Sequence, residues 1–186
     1  MHATQPPRPR GAPVHIESSG YTLRSLTPAD VTPRFVEWIN SASMLEGLNL
    51  PPLNFSLEQL QAFVASFDDL NNYFIGIFAS NGLLLGFYTI DVNRTHKTGN
   101  ITTGIGEPEH LGKGVLWATI DGLLNHFYLY RDLEKMTARV LARNLRMLFN
   151  FRGDPRFKFE AKLSRECLGP DGKRLDVLVF ASHKDD

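Results

Sequence analysis

The sequence lacks the features that would place it in several large classes of protein. Its 186 residues include one cysteine, Cys167, so no disulfide can form within the chain, and no Cys/His cluster has zinc spacing. No apolar run approaches the roughly 20 residues that a membrane helix needs. The chain carries 20 basic and 20 acidic residues, without the excess of positive charge typical of a general nucleic-acid binder. We therefore expect a soluble cytoplasmic protein with no metal, no membrane contact and no nucleic acid as partner.

The sequence does contain enough apolar side chains for one hydrophobic core. Hydrophobic residues make up 42% of the chain, and its length suits a single domain. Residues 1–19 are rich in proline and have few apolar positions at regular spacing, so this stretch predicts a disordered tail. Residues 20–186 are the predicted domain.

Periodicity and turn signals predict the order of elements in that domain. Thr27 and Pro28 predict the start of a helix, and the capping-box pattern S-x-x-Q from Ser56 predicts the start of a second helix. Asn81 and Gly82 separate two apolar runs, which is the strongest short-range signal for a β-hairpin. The complete order, β-α-α-β-β-β-α-β-α-β-β, predicts an α/β (α+β) fold. Its mixed, mostly antiparallel sheet would have about seven strands and helices on both faces.

A glycine-rich loop, "GIGEPEHLGKGVLW" at residues 104–117, stands between a predicted strand and a predicted helix. A nucleoside triphosphate P-loop needs G-x-x-x-x-G-K-[ST]. Here Glu107 occupies the place of the first glycine and Gly114 that of the serine or threonine, so the metal-binding hydroxyl is missing. A dinucleotide-binding G-x-G-x-x-G motif within a βαβ unit is also absent. Neither nucleotide-binding motif fits this loop.

Two interpretations of the loop remain. Backbone N–H groups at the start of the helix, together with the helix dipole, could hold a pyrophosphate without metal, as in coenzyme A. The loop could equally be an ordinary glycine-rich turn that begins a helix. The loop alone does not decide between them.

Several segments carry a resemblance to a known family. These are "LRSLTPADVTPRFVEWIN", "GEPEHLGKGVLWATIDGLLNHFY", "ARVLARNLRM" and "FKFEAKLSRECLGPDGKRLDVLVFAS". In order and spacing they resemble the GNAT superfamily of acyl-CoA N-acyltransferases, in particular its RimJ/RimL-like branch of ribosomal-protein N-terminal alanine acetyltransferases. The resemblance covers about residues 21–182. It implies a sheet whose central strand pair splays apart and an enzyme that uses acetyl-CoA.

The resemblance also implies which residues contact the cosubstrate. The family's signature, Q/R-x-x-G-x-G/A, falls on residues 111–116, where only Gly114 is kept at a defining position. Leu111 and Leu116 depart from the pattern. The pantetheine arm would pair with residues 103–106, and Asn144 matches a cofactor-contacting asparagine. The implied cosubstrate-binding residues are Thr103, Gly104, Ile105, Gly106, Leu111, Gly112, Lys113, Gly114, Val115, Leu116, Asn144 and Phe151.

The catalytic positions depart further from the family. Acyl transfer to an amine needs a neutral nucleophile and a proton source for the departing thiolate. Phe151 stands where many relatives place a tyrosine that acts as the general acid. Asn100 stands where some place a glutamate that acts as the general base. Asn100 and Glu107 are the two candidate catalytic residues, whereas Cys167 is expected to be inert packing on a strand. Direct transfer in a ternary complex, with a water relaying the proton, requires least from these residues.

The acceptor and the partners are less well specified. The predicted acceptor contacts are Trp38, Met44, Glu46 and Asn49. The acceptor itself would be a primary amine, either a peptide N-terminus or a small molecule. A competing hypothesis is an acyl-CoA-binding or regulatory module without catalysis, because the signature and the catalytic positions are atypical. By analogy alone, the resemblance also allows a homodimer through the closing hairpin.

Overall fold

One eight-stranded sheet organises the chain in the computed structural model, which describes residues 9–186. The spatial order of its strands is β1-β2-β3-β4-β5-β6-β8-β7. Neighbours pair antiparallel except β5 and β6, which are parallel. The strands are β1 (His15–Ser18), β2 (Tyr21–Ser25), β3 (Asn72–Phe78), β4 (Leu84–Asn93), β5 (Thr98–Ile105), β6 (Lys135–Leu141), β7 (Lys158–Leu168) and β8 (Arg174–His183).

Helices cover both faces of the sheet, as predicted. They are α1 (Pro33–Asn40), α2 (Ala42–Leu48), α3 (Leu57–Ala65), α4 (Val115–Tyr130) and α5 (Leu145–Gly153), with short 3-10 turns at Pro28–Asp30 and Pro108–His110. Within residues 9–186, no helix is long and apolar enough to cross a membrane.

Two hydrophobic clusters fill the space between the sheet and these helices. The larger cluster lies on the face that carries α4 and α5 and includes Tyr88 and Phe127, both fully buried. The smaller cluster lies on the face that carries α1–α3 and includes Phe35 and Phe74. Burial of each such side chain stabilises the fold by about 1.5–3 kcal/mol. The sheet is therefore held rigidly from both sides.

The parallel pair β5 and β6 splays apart, as the resemblance implied. Their pairing runs from Thr98↔Lys135 to Ile101↔Ala138 and then stops. Both strands continue, β5 to Ile105 and β6 to Leu141, without pairing to each other. A slit consequently opens through the sheet between the carboxyl ends of these two strands.

Local sequence signals account for several of the elements. Gly82 takes a positive φ of 82°, and its N–H donates to the Ala79 carbonyl at 2.8 Å, which closes the predicted hairpin between β3 and β4. Ser56 and Gln59 form the predicted capping box of α3. Both signals depend only on neighbouring residues.

The predicted limit of the disordered tail is wrong. Strand β1 pairs with β2, and Val14 is only 1% exposed, so the folded part begins well before residue 20. Residues 1–8 of the predicted tail lie outside the described residues. Because β1 is very short and has few apolar positions, its pattern was too weak to recognise. It is also the strand that raises the count from about seven to eight.

The first two helices also differ from the prediction. Thr27 caps only a 3-10 turn, and α1 begins at Pro33 after a second cap, Thr32. Proline disfavours helical geometry in the residue before it, and Thr32 is extended, with φ −104° and ψ 163°. Helix α2 was not predicted. Ser41 ends α1 and caps α2, so two short helices meet at one residue.

Candidate functional site

A cavity of about 350 Å³ occupies the slit between β5 and β6. Its walls come from β5, β6, the first turns of α4, helix α5, the end of α2 and the end of β7. The lining residues include Asn49, Tyr88, Thr103, Leu116, Trp117, Arg139, Asn144, Phe151, Glu166 and Cys167. Five of them were predicted as site residues, namely Asn49, Thr103, Leu116, Asn144 and Phe151.

The N-terminus of α4, beside this cavity, has no side-chain cap. Its N-cap residue is Gly114, in the left-handed region with φ 73°. The first four N–H groups of an α-helix have no partner within the helix, and they carry the positive end of its dipole. Each of the other described α-helices has a capping side chain, contributed by Thr32, Ser41, Ser56 and Asn144. Helix α4 therefore presents uncapped donors beside the slit.

The loop before α4 leaves those donors accessible. Gly112 and Gly114 both have positive φ, and a Cβ at either position would meet no atom within 4 Å. The open space lets a ligand approach the backbone closely. Leu111 is 45% exposed beside them, so its side chain does not close the loop. An anion could therefore reach the start of α4 without a change in the protein.

The remaining predicted cosubstrate residues lead up to this loop. Gly104 and Ile105 continue β5 beyond its last pair with β6, and Gly106 follows directly after the strand. Lys113 follows in the loop, and Val115 begins α4 with its side chain 2% exposed, so only its backbone N–H could serve a ligand.

Two aromatic residues at the cavity wall have no proton to offer. The Tyr88 hydroxyl is engaged by the Leu116 carbonyl and by Thr119 Oγ1, both at 2.8 Å. Burial raises the pKa of Tyr88 far above its usual value. Phe151 is 4% exposed and packs against the rings of Trp117, Phe157 and Phe180. Neither residue can act as the acid for a departing thiolate.

Asn100 lies on β5 just before the splay. Its neighbour Ile101 belongs to the cluster under α4, so alternation along the strand places Asn100 on the face that carries α1–α3. Its Oδ1 atom is 3.4 Å from the hydroxyl of Thr137 on β6. Asn100 is half-buried and is not part of the cavity wall. It lies in the paired part of β5, one residue before the pairing with β6 ends.

Glu107 occupies a setting that does not suit a general base. Its carboxylate is 5% exposed and accepts hydrogen bonds from both Nε and Nη2 of Arg34 on α1. Arg34 is the main cause that lowers the pKa of Glu107, and the Trp38 indole N–H contributes a smaller lowering without forming a hydrogen bond of good geometry. A carboxylate with both oxygens committed to a guanidinium is a weak proton acceptor.

The far end of the cavity lies between α2 and β7. Asn49, at the end of α2, donates from Nδ2 to the Leu168 carbonyl at 3.0 Å. Arg143 donates to the Glu46 carbonyl at 3.2 Å. An ion pair between Arg139 and Glu166 forms the charged part of the wall, next to Cys167.

The structure separates the four predicted acceptor contacts. Asn49 lines the cavity, whereas Glu46 is exposed outside it. Trp38 and Met44 are 6% and 9% exposed and belong to the core under α1–α3. These two side chains lie behind the wall and not on its surface.

Sequence reasoning missed several residues of the cavity wall. Trp117, Arg139 and Glu166 were not predicted, and Cys167 was expected to be packing. Trp117 follows directly on the signature, so the helical spacing after residue 116 could have found it. The other three depend on the pairing of β6, β8 and β7, which includes an irregularity between Leu163 and Cys167. No local pattern predicts that register.

The chain is similar to known proteins in its structure. No family model matches the chain, and no curated protein matches it. A spermidine N-acetyltransferase from Vibrio cholerae, solved in complex with CoA and spermine, superposes with a TM-score of 0.80 at 21% identity, over 90% of this chain and 97% of the other. RimL, a ribosomal L7/L12 alpha-N-protein acetyltransferase, gives 0.78 at 19% identity, over 95% and 98%. A GNAT-family acetyltransferase from Bacillus anthracis gives 0.75 at 14% identity, over 93% and 100%.

These similarities confirm the predicted fold. The chain has the fold of GNAT acetyltransferases, including RimL, over nearly its whole length and theirs.

Proposed function

We propose that the protein is an N-acetyltransferase that transfers an acetyl group from acetyl-CoA to a primary amine. The observation that carries the proposal is the uncapped N-terminus of α4 beside a cavity in the splayed sheet. The solved acetyltransferases with this fold, one of them in complex with CoA, support it.

The residues present fit coenzyme A. Gly112 and Gly114 leave room for a pyrophosphate against the backbone N–H groups at the start of α4. Beyond Ile101, one edge of β5 has no strand partner at the slit, so its backbone groups are free to pair with the amides of a pantetheine arm. The apolar walls include Leu116 and Phe151 and suit the alkyl parts of that arm.

The residues of this chain would act mainly by positioning. Acetyl-CoA, when bound, supplies an activated thioester. The slit would hold its acyl end near the acceptor amine, and such positioning can contribute about 7–11 kcal/mol to lowering a barrier. Asn100, half-buried beside the last pairs of β5 with β6, would orient a water that relays the proton from the attacking amine to the departing thiolate. Glu107 is bound by Arg34 and is left out of proton transfer.

The charges at the far end of the cavity favour an acceptor with a single amine. Arg139 and Glu166, the charged residues in the cavity wall, neutralise each other. Recognition of a polycation needs unpaired carboxylates, and within residues 9–186 the one carboxylate in the cavity wall, that of Glu166, is paired with Arg139. We therefore place a peptide N-terminus ahead of a polyamine as the acceptor, in line with the RimJ/RimL-like resemblance.

Calorimetry with acetyl-CoA, combined with a thiol-release assay, tests the function. The acceptor panel contains short peptides with a free N-terminus, the same peptides with a blocked N-terminus, spermidine and an aminoglycoside. We expect binding with one site per chain, and thiol release that requires the free peptide amine. Turnover with spermidine alone would overturn the acceptor assignment but not the enzyme class.

The competing function is a module that binds acyl-CoA without turnover. The Tyr88 hydroxyl is hydrogen-bonded to the Leu116 carbonyl and Phe151 has no hydroxyl, so no proton donor is available at those positions, which favours the module. Binding of acetyl-CoA without thiol release on any amine would support the module. No binding at all would exclude both functions. The homodimer through β7 and β8 stays a prediction, for which gel filtration with light scattering is the measurement.

A further inference from the structure

Helices α1 and α2 contact the end of β5 and the loop after it at three points. The ring of Trp38 packs directly against Gly106, where a Cβ would overlap it. Met44 approaches Gly104, with Sδ 2.8 Å from the place of a Cβ. Arg34 on α1 binds Glu107. One helical unit therefore supports the segment that leads into the glycine loop.

We infer that the Arg34–Glu107 pair positions the cosubstrate loop, residues 107–114, and that Glu107 is a positioning residue and not a catalytic one. This inference rests on the proposed function, because it assigns the loop to coenzyme A. It assigns to Arg34 a role that the sequence did not indicate.

Backbone hydrogen bonds around Glu107 attach the start of the loop to the sheet. The N–H groups of Gly106 and Glu107 both donate to the Leu85 carbonyl on β4, at 2.9 and 3.1 Å. The Glu107 carbonyl accepts from the His110 N–H at 3.0 Å, which closes the 3-10 turn. After this turn the loop continues to Gly112 and Gly114, whose surroundings are open. The side chain of Glu107 is the attachment between this turn and α1.

The pair differs from an ordinary surface ion pair. The Glu107 carboxylate is 5% exposed, and the guanidinium binds both of its oxygens, a geometry that adds strength and direction. Arg34 is 56% exposed, so it can be replaced without opening the core. Removal of Arg34 leaves a buried carboxylate without its partner, which favours movement of the turn toward water.

The same unit reaches the acceptor end of the cavity. Ser41 joins α1 to α2, and the end of α2 contributes Asn49 to the wall. The helical unit that holds Glu107 is therefore the same one that contributes Asn49 to the cavity wall.

The test compares Arg34→Gln, Glu107→Gln and the double variant with wild type. Arg34→Lys keeps the charge but loses the paired hydrogen bonds of the guanidinium to both Glu107 oxygens. Lys97→Gln is the matched control, because it removes a cation from an exposed ion-pair network with Asp132 and Glu134. Hydrogen exchange of the amides at residues 107–114 is measured in the free proteins, and the Kd of CoA by calorimetry.

We expect faster exchange in the loop and a Kd for CoA raised about tenfold in Arg34→Gln, an intermediate effect in Arg34→Lys, and none in Lys97→Gln. The double variant should be no worse than Arg34→Gln. In acetyl transfer, the KM for acetyl-CoA should rise with little change in kcat.

Other outcomes would overturn the inference. A fall in kcat of a hundredfold or more in Glu107→Gln, with the Kd of CoA unchanged, would make Glu107 a catalytic base. Unaltered exchange in Arg34→Gln would show that the pair does not order the loop. If the wild type binds no CoA, the proposed function fails, and hydrogen exchange still decides whether Arg34 holds the loop.

Discussion

Individual residues at the slit explain why positioning must dominate the proposed chemistry. The Tyr88 hydroxyl is hydrogen-bonded to the Leu116 carbonyl and to Thr119 Oγ1, Phe151 has no hydroxyl, and Glu107 is bound by Arg34. Of the two predicted catalytic residues, this leaves Asn100, whose amide can orient water but cannot hold a proton as a carboxylate would. Its catalytic role stays a prediction.

Replacement of Asn100 by alanine tests that role. We expect kcat to fall about tenfold, below the 10²–10⁴-fold of a true acid or base, because only the orientation of a water is lost. The Kd of CoA should not change, since Asn100 is outside the cavity wall. Steady-state kinetics and calorimetry provide the two numbers. Asn93→Ala, at the exposed end of β4, is the control, and an equal loss of kcat in both variants would remove Asn100 from the mechanism.

The contact between Gly106 and Trp38 makes a second residue-scale prediction. Gly106→Ala should lower the free energy of unfolding by about 3 kcal/mol, because a Cβ would overlap the indole ring and the core does not yield easily. Urea denaturation followed by tryptophan fluorescence measures the change.

Gly47→Ala is the matched control for that substitution. Gly47 lies in α2, and a Cβ there meets no atom within 4 Å. Alanine is favoured over glycine in a helix by up to about 1 kcal/mol, so this variant should be as stable as the wild type or more stable. Equal stability of the two variants would mean that Trp38 does not pack on Gly106.

At the scale of elements, the sequence predicted what is determined locally. The Ser56 capping box and the hairpin turn at Gly82 depend on residues a few positions apart, and both are confirmed. Strand β1 and helix α2 depend on distant contacts. Val14, just before β1, is buried by the core under α4, and Met44 in α2 is placed against Gly104. Short segments of this kind have no periodicity of their own to detect.

In the candidate site, too, some residues are determined by nearby sequence and others by distant contacts. The glycine loop precedes its helix in the sequence, so a motif could locate Gly114 and Leu116. Arg139 and Glu166 come together only through the pairing of β6 with β8 and of β8 with β7. The irregular register in β7 sets which side chains reach the slit, and no spacing in the sequence encodes it.

The start of α4 allows a test at the level of one element. Gly114→Ala places a Cβ at φ 73° in the loop, which strains the left-handed conformation by about 1 kcal/mol. We expect the Kd of CoA to rise about tenfold, since the N–H groups lose their alignment with the pyrophosphate. Binding of pantetheine, which has no pyrophosphate, should be unchanged. Calorimetry with both ligands measures the difference.

Gly172→Ala supplies the control for backbone strain. Gly172 has φ 75° in the turn between β7 and β8, and a Cβ there also meets no atom within 4 Å. The same cost in stability is expected, with no effect on CoA. If both variants weaken CoA equally, the effect comes from general destabilisation and the assignment of α4 to the pyrophosphate is wrong.

Across the whole molecule, the slit connects two surfaces whose residues are far apart in the sequence. One end is formed by the start of α4 and by α5, and the other by the end of α2 and β7. The single cysteine, Cys167, lies at the second end, so a ligand that binds its phosphates at α4 and extends through the slit must approach the thiol. The path from the start of α4 to Cys167 exists only in the assembled sheet and not in any single element.

Chemical modification of Cys167 tests this path through the molecule. N-ethylmaleimide should label the protein once, because the chain has one thiol, and saturating CoA should slow the labelling about tenfold by covering it. Adenosine 3′,5′-bisphosphate carries phosphates but no pantetheine, so it should leave the rate unchanged. Mass spectrometry at timed intervals gives the rates. Protection by both ligands would indicate a change of conformation instead of direct cover. Protection by neither would place the pantetheine arm outside the slit, because an arm between β5 and β6 cannot leave the thiol at its far end open.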